Sequence, residues 1–126
     1  MIFGIGTDIL DRERLDRGLD AAFIRRAYTD AERLQAAQRY DPSAYYATRF
    51  AAKEAVFKAI SACVTDFRPQ DIETLADEHG KPGVFLHGKT AEEVSDSLAG
   101  REYSILVSLS CEDKTAIAYA VIDAAQ

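Results

Sequence analysis

Two segments near the end of the chain, "YSILVSLS" (103–110) and "TAIAYAVI" (115–122), alternate apolar residues with small or polar ones without a break. A period of two over eight residues marks an antiparallel strand with one buried face. The four residues between them, "CEDK", leave room only for a hairpin loop. The second strand carries Ala116, Ala118 and Ala120 on one face, and side chains that short let a helix pack closely. The chain therefore needs a long helix to cover this hairpin.

Residues 44 to 61 provide it. The break Tyr40-Asp41-Pro42-Ser43 ends a preceding helix, because Pro42 cannot continue one, and Ser43 is the expected cap of the next. Upstream, residues 1 to 7 read as a first strand that Asp8 ends, with Gly4 and Gly6 marking close backbone approach. "DRERLDRGL" spaces its leucines for a short helix ending near Gly18. Thr29 and Glu32 form a capping box before another. Downstream, "DIETLADEHGKPGVFLHG" predicts two β segments joined at Gly80–Gly83, and "KTAEEVSDSLAG" a helix ended by Gly100. The expected fold class is α+β, an antiparallel sheet packed against a long helix, in one domain spanning 1–126.

Composition narrows the function classes. The net charge of −6 argues against nucleic acid or an anionic membrane as the main partner. No apolar run approaches the roughly 20 residues needed to span a bilayer, and the start lacks a basic leader, so a cytoplasmic protein is expected. Cys63 and Cys111 are too few for a disulfide framework and make no zinc pattern. Charge is unevenly spread: residues 11 to 40 hold seven arginines against six acids, whereas from 41 onward eight basic residues face fourteen acidic ones. Solvated helix faces and a local basic surface for an acidic partner both remain open.

The stretch "RFAAKEAVFKAI" (49–60) sets Arg49, Lys53, Glu54 and Lys58 on the long helix. Glu54 and Lys58 share one face, and Arg49 and Lys53 share another. Tyr45, Tyr46, Phe50, Val56, Phe57 and Ile60 leave little of the circumference for water, so two plain surface ion pairs are a poor fit. A strand-end aspartate with a helix glutamate, Asp8 with Glu54, is a candidate hard-cation site, since Mg²⁺ takes one or two carboxylates, waters and a substrate phosphate. Lysines nearby would meet the phosphate as point charges.

"GIGTDI" followed by Arg14, then "FIRRAYTDAE", "RFAAKEAVFKA", "DEHGKP" and "SLS" occur in that order across nearly the whole chain. Together they resemble the holo-acyl-carrier-protein synthase family, the small phosphopantetheinyl transferases. The resemblance implies a 4′-phosphopantetheinyl transferase-like fold and transfer of 4′-phosphopantetheine from coenzyme A to a serine of an apo acyl carrier protein, with release of 3′,5′-ADP. It implies Mg²⁺ on Asp8 and Glu54, with Asp8, Glu54 and Lys58 catalytic. Arg49, Lys53, Lys58, Lys81, Pro82 and Ser110 are implied to contact coenzyme A, and Arg14, Arg26 and Arg25 to bind the carrier. A homotrimer with each site at a subunit boundary is implied as well.

Two departures stand out. "ISAC" (60–63) replaces the family's "LGTG", and Cys111 stands where "SxSH" has histidine. Cysteine is the weaker donor, and Ala62 or Cys63 would resist a positive φ that glycine takes freely. The alternative these leave is a weak or inactive homologue that binds carrier protein or coenzyme A. A Mg²⁺-dependent hydrolase of nucleotide pyrophosphates is a third reading. His79 and His87 are expected as exposed loop and strand-end residues.

Overall fold

The computed structural model describes residues 1–126. Strand β1 (Ile2–Asp11) leads into three short helices, α1 (Arg12–Gly18), α2 (Ala21–Ala27) and α3 (Asp30–Ala37), and then the long α4 (Pro42–Ala59). A 3₁₀ turn, Pro69–Asp71, opens the hairpin β2 (Ile72–Ala76) and β3 (Pro82–Leu86); α5 (Gly88–Ser97), β4 (Tyr103–Glu112) and β5 (Thr115–Ala124) complete the chain. An antiparallel sheet of order β1-β5-β4 packs one face on α4, and β2-β3 forms a separate two-stranded sheet. The α+β class is therefore as expected. No helix is long and apolar enough to cross a membrane.

The helix–sheet seam is built from small residues. Ala47, Ala51, Ala55 and Ala59 of α4 and Ala116, Ala118 and Ala120 of β5 are all buried in one core cluster. Opposite them, β1 comes so near that a Cβ at Gly6 would lie 1.9 Å from the Ala55 carbonyl oxygen, and one at Gly4 1.9 Å from that of Ala59. Real side chains never approach backbone so closely, so only glycine allows this crossing.

Three local expectations need correction. β1 continues past Asp8 to Asp11, because Ile9, Leu10 and Asp11 pair with Ile117, Ala116 and Thr115. The cap of α4 is Asp41, whose Oδ1 accepts from the Ala44 amide at 3.1 Å, with Pro42 in the first turn where its missing N–H costs nothing. Ser43 instead donates to Asp16 at 2.6 Å. The β4–β5 turn is shorter than "CEDK": Cys111 and Glu112 belong to β4, and Asp113 takes φ +53°. The Thr29–Glu32 capping box is present as expected.

Candidate active site

β1 and α4 run past one another with Asp8 facing the helix, 8% exposed, in register with Ala118 of β5. Glu54 and Lys58, four residues and about one helical turn apart on α4, come to the same place. The Lys58 ammonium donates to Asp8 Oδ1 at 3.2 Å and to the Thr7 carbonyl at 2.9 Å. Asp8 Oδ2 is buried without a partner. Burial, and then the charge of Asp8, push the Glu54 carboxyl up to about 7, while Lys58 pulls it part of the way back. Two carboxylates and one ammonium converge in the cleft where β1 crosses α4, and the local charge is left negative.

That cleft fits a hard divalent cation. The buried, unpartnered Asp8 oxygen and the raised Glu54 carboxyl both gain from a positive charge, and the donors are oxygens only. No cluster of three or more potential metal-ligating side chains exists, so an ion here would complete its shell with water and substrate oxygens, the habit of Mg²⁺.

The structure separates the other helix charges from this cleft. Lys53 is fully buried, and its ammonium bonds both oxygens of the equally buried Glu32 at 2.8 Å, along with the carbonyls of Pro69 at 2.9 Å and Ile72 at 2.7 Å. Glu32 also accepts the amides of Thr29 and Thr74, each at 2.8 Å. A coenzyme-contacting role for Lys53 is therefore corrected: its hydrogen bonds tie α4 to α3 and to the start of β2, and none remains for a phosphate. Glu32 was visible in the sequence only as a capping-box residue, because nothing in local spacing links it to a lysine 21 positions later.

Arg49 lies on the side of α4 away from Glu54. Its guanidinium stacks 4.2 Å from the centroid of Tyr45 and donates to Thr48 at 3.1 Å, but no carboxylate pairs with it and its Nε is buried without a partner. Burial holds this guanidinium below the usual arginine range. Arg39 approaches the same tyrosine ring, 5.3 Å from its centroid, and both arginines line a notch with Tyr40 and Thr48. Sequence reasoning singled out Arg49 but not Arg39.

Lys81 and Pro82 line a groove of about 520 Å³ between the β2-β3 hairpin and Ile105–Val107 of β4. Ser110 projects from the opposite face of the sheet to Asp8, in the row of Ile117 and Ile9. That outer face is apolar and open: Ile5 is 72% exposed, Ile9 69%, Tyr119 58% and Leu106 52%. Arg14 on α1 and Arg25 and Arg26 in the last turn of α2 are exposed and take part in no ion pair. His87 sits exposed at the start of α5, 3.0 Å from Glu73, and His79 is exposed in the hairpin loop.

The two departures are accommodated without strain. Residues 60–63 turn with no positive φ, so glycine is not needed for the backbone path taken here. Cys111 is half-buried against the core opposite Ala116, with no histidine beside it.

The architecture and the cleft together define a class: residues 4–118 match the 4′-phosphopantetheinyl transferase superfamily, and the chain belongs to it. Within that superfamily it belongs with the holo-[acyl-carrier-protein] synthases. It is 38% identical to the Clostridium beijerinckii holo-[acyl-carrier-protein] synthase over 98% of this chain and 99% of that one. The Neisseria meningitidis holo-[acyl-carrier-protein] synthase structure superposes with a TM-score of 0.81 at 34% identity, covering 98% of this chain and 99% of the other. The Bacillus anthracis holo-(acyl-carrier-protein) synthase, solved in complex with CoA (3′,5′-ADP), gives a TM-score of 0.74 at 31% identity over 97% and 96%.

Proposed function

We propose that the chain transfers the 4′-phosphopantetheine arm of coenzyme A to a serine hydroxyl of an apo acyl carrier protein and releases 3′,5′-ADP, with Mg²⁺ held by Asp8 and Glu54. The observation that carries this reading is the convergence of Asp8, Glu54 and Lys58 in one cleft. In the reaction the serine Oγ forms a bond to the β-phosphorus while the bond from that phosphorus to the 3′,5′-ADP oxygen breaks. Phosphoryl chemistry of this kind asks for positioning and charge neutralisation more than covalent help. When bound, Mg²⁺ neutralises the pyrophosphate oxygens and acts on them as a Lewis acid. Lys58, half-exposed at the cleft edge, meets the phosphates and offsets charge growing on the leaving 3′,5′-ADP. Glu54, beside the metal position, is the carboxylate placed to take the hydroxyl proton.

Coenzyme A carries a third phosphate, on its ribose, away from the pyrophosphate. The unpaired Arg49 in its notch with Arg39 suits that group, while Lys81, Pro82 and Ser110 are further contacts in the same reading. Ser110 and Asp8 project from opposite faces of one sheet, so a single ligand meets both only where two subunits adjoin. The apolar outer face supports such assembly, since an exposed contiguous apolar patch marks an interface. The family resemblance makes that assembly a homotrimer, for which light scattering should give about three times the 13.9 kDa chain mass; a clean monomer would sink this part. The unpaired Arg14, Arg25 and Arg26 are the surface for an acidic carrier protein. The reading puts the enzyme in the cytoplasm, with its soluble substrates.

The test is intact-protein mass spectrometry of an apo acyl carrier protein incubated with this chain, coenzyme A and Mg²⁺, beside an EDTA-treated sample and Lys58→Ala. A gain of one phosphopantetheine arm, absent from both controls, is expected. No gain with several carriers, while coenzyme A still binds, would leave a binding module. That rival is disfavoured by the cleft itself, because a half-buried carboxylate pair is costly to retain without use.

A further inference from the structure

We propose that Lys58 is a built-in competitor for the metal as well as a phosphate ligand, so that metal and coenzyme A load cooperatively. This rests on the transferase reading of the cleft. Three observations support it. First, the ammonium is committed to Asp8 Oδ1 and to the Thr7 carbonyl, so it sits against one of the two carboxylates that would hold a cation. Second, Asp8 turns its other oxygen inward, buried and unpartnered, so a cation bound there lies on the far side of a single carboxyl group from Lys58. Third, the Lys58 side chain is 53% exposed while that of Asp8 is 9% exposed: the lysine is free to swing and the aspartate is not.

The charge arithmetic follows. Asp8, Glu54 and Lys58 together carry a formal charge of −1. A divalent ion added beside an unmoved ammonium makes the cleft +1, with two cations sharing one carboxylate. The repulsion weakens metal binding as long as the ammonium has nowhere better to go. A pyrophosphate supplies that place. Once Lys58 moves onto phosphate, Asp8 is released to the metal, and each ligand makes room for the other. By linkage the coupling is reciprocal: coenzyme A strengthens the metal site by the same factor that the metal strengthens coenzyme A binding. The Thr7 carbonyl keeps the ammonium near the cleft in the interval, so the exchange is a short swing about the side-chain bonds and needs no backbone motion.

The lysine therefore guards against loading the metal alone. Free metal in the cleft is disfavoured, and the ion enters with its phosphate-bearing substrate. An uncharged side chain of similar length removes the guard.

The experiment is Mn²⁺ binding, followed by electron paramagnetic resonance and by calorimetry, to the wild type, Lys58→Met and Asp8→Asn, each with and without coenzyme A. Without coenzyme A, Lys58→Met should bind Mn²⁺ about tenfold more tightly than the wild type, the size of repulsion expected between a monovalent and a divalent charge in a largely wet cleft. Coenzyme A should tighten Mn²⁺ binding in the wild type and do so several-fold less in Lys58→Met. Unchanged or weaker Mn²⁺ binding in Lys58→Met would overturn the proposal while leaving the metal site standing. Equal binding by Asp8→Asn and the wild type would instead remove the metal site, and the proposal with it. Thermal melts keep the comparison fair: Lys58→Met strips the buried Asp8 carboxylate of its partner and should melt below the wild type, so Mn²⁺ affinities are compared at a temperature well below both midpoints.

Discussion

Replacing Lys53 by methionine separates a structural role from a ligand-binding one. Methionine fills nearly the same volume, so the change removes charge and hydrogen bonds but little packing. It strands the Glu32 carboxylate, fully buried, on the Thr29 and Thr74 amides alone, and it orphans the carbonyls of Pro69 and Ile72. Breaking one partner of a buried ion pair costs about 3–5 kcal/mol, because the remaining charge stays desolvated and unpaired. Against the ~5–15 kcal/mol that usually holds a domain together, this is about a fifth of the total or more.

Guanidinium or urea unfolding followed by circular dichroism reads the effect directly. With a slope of about 2 kcal/mol per molar urea, the midpoint of Lys53→Met should fall by about 2 M. The double variant Glu32→Gln with Lys53→Met, which also removes the stranded charge, should recover at least half of the loss. Coenzyme A affinity of the folded single variant, measured well below its midpoint, should stay within about threefold of the wild type. A variant as stable as the wild type that has lost coenzyme A affinity would refute the reasoning and return Lys53 to the ligand.

Three further outcomes test the site and its setting. Gly6→Ala puts a Cβ 1.9 Å from the Ala55 carbonyl oxygen, so β1 must lift away from α4 and carry Asp8 with it; about 2–3 kcal/mol of stability and most of the turnover should be lost, whereas Gly18→Ala, with nothing within 4 Å, should leave both unchanged. With the Glu54 carboxyl raised from 4.5 to about 7, the folded protein without metal holds a proton that the unfolded chain gives up, so stability is full below pH 4.5 and falls as pH rises through 7. The full shift is worth about 3 kcal/mol, which solvent screening of this half-exposed group cuts to about 1–2 kcal/mol, and Glu54→Gln should flatten the slope in denaturant titrations at pH 4.5 to 8. Arg14→Glu with Arg26→Glu should raise KM for the carrier protein about tenfold or more at low salt, less at high salt, and leave KM for coenzyme A alone; equal effects on both would exclude a docking role.

What the sequence made legible follows the range of each interaction. The β4-β5 hairpin could be read because a strand's period is two and every residue reports its face; only the turn was misjudged, since Cys111 and Glu112 look as loop-like as Asp113 and Lys114. Helix α2 escaped notice because "AAFIRRA" is too short to establish a helical period. Asp41 and Ser43 are equally good caps, and only the fit of Pro42 to the first turn favours the earlier one. The partnership of Asp8 with Lys58 spans 50 residues and that of Glu32 with Lys53 spans 21; no local pattern encodes either. The resemblance supplied the first pair, on motifs that match across the chain, and nothing supplied the second.

The four charges on α4 have one geometric origin. A helix pressed this closely onto β1 and β5, through alanines and glycines, has little open surface, so each charged residue must find its own way to remain solvated or paired. Lys53 does so inward, on a carboxylate and two carbonyls. Arg49 does so only in part, stacked on a tyrosine with a donor unused. Glu54 and Lys58 do so at the rim, where β1 brings Asp8 beside them and one carboxylate oxygen is left without a partner. The groups with unmet electrostatic demand are therefore those suited to meet phosphates and a cation, and the group whose demand is met is the one that serves the fold. Closeness of packing sorts the helix's charges into structural and chemical ones, and the two glycines of β1 set that closeness.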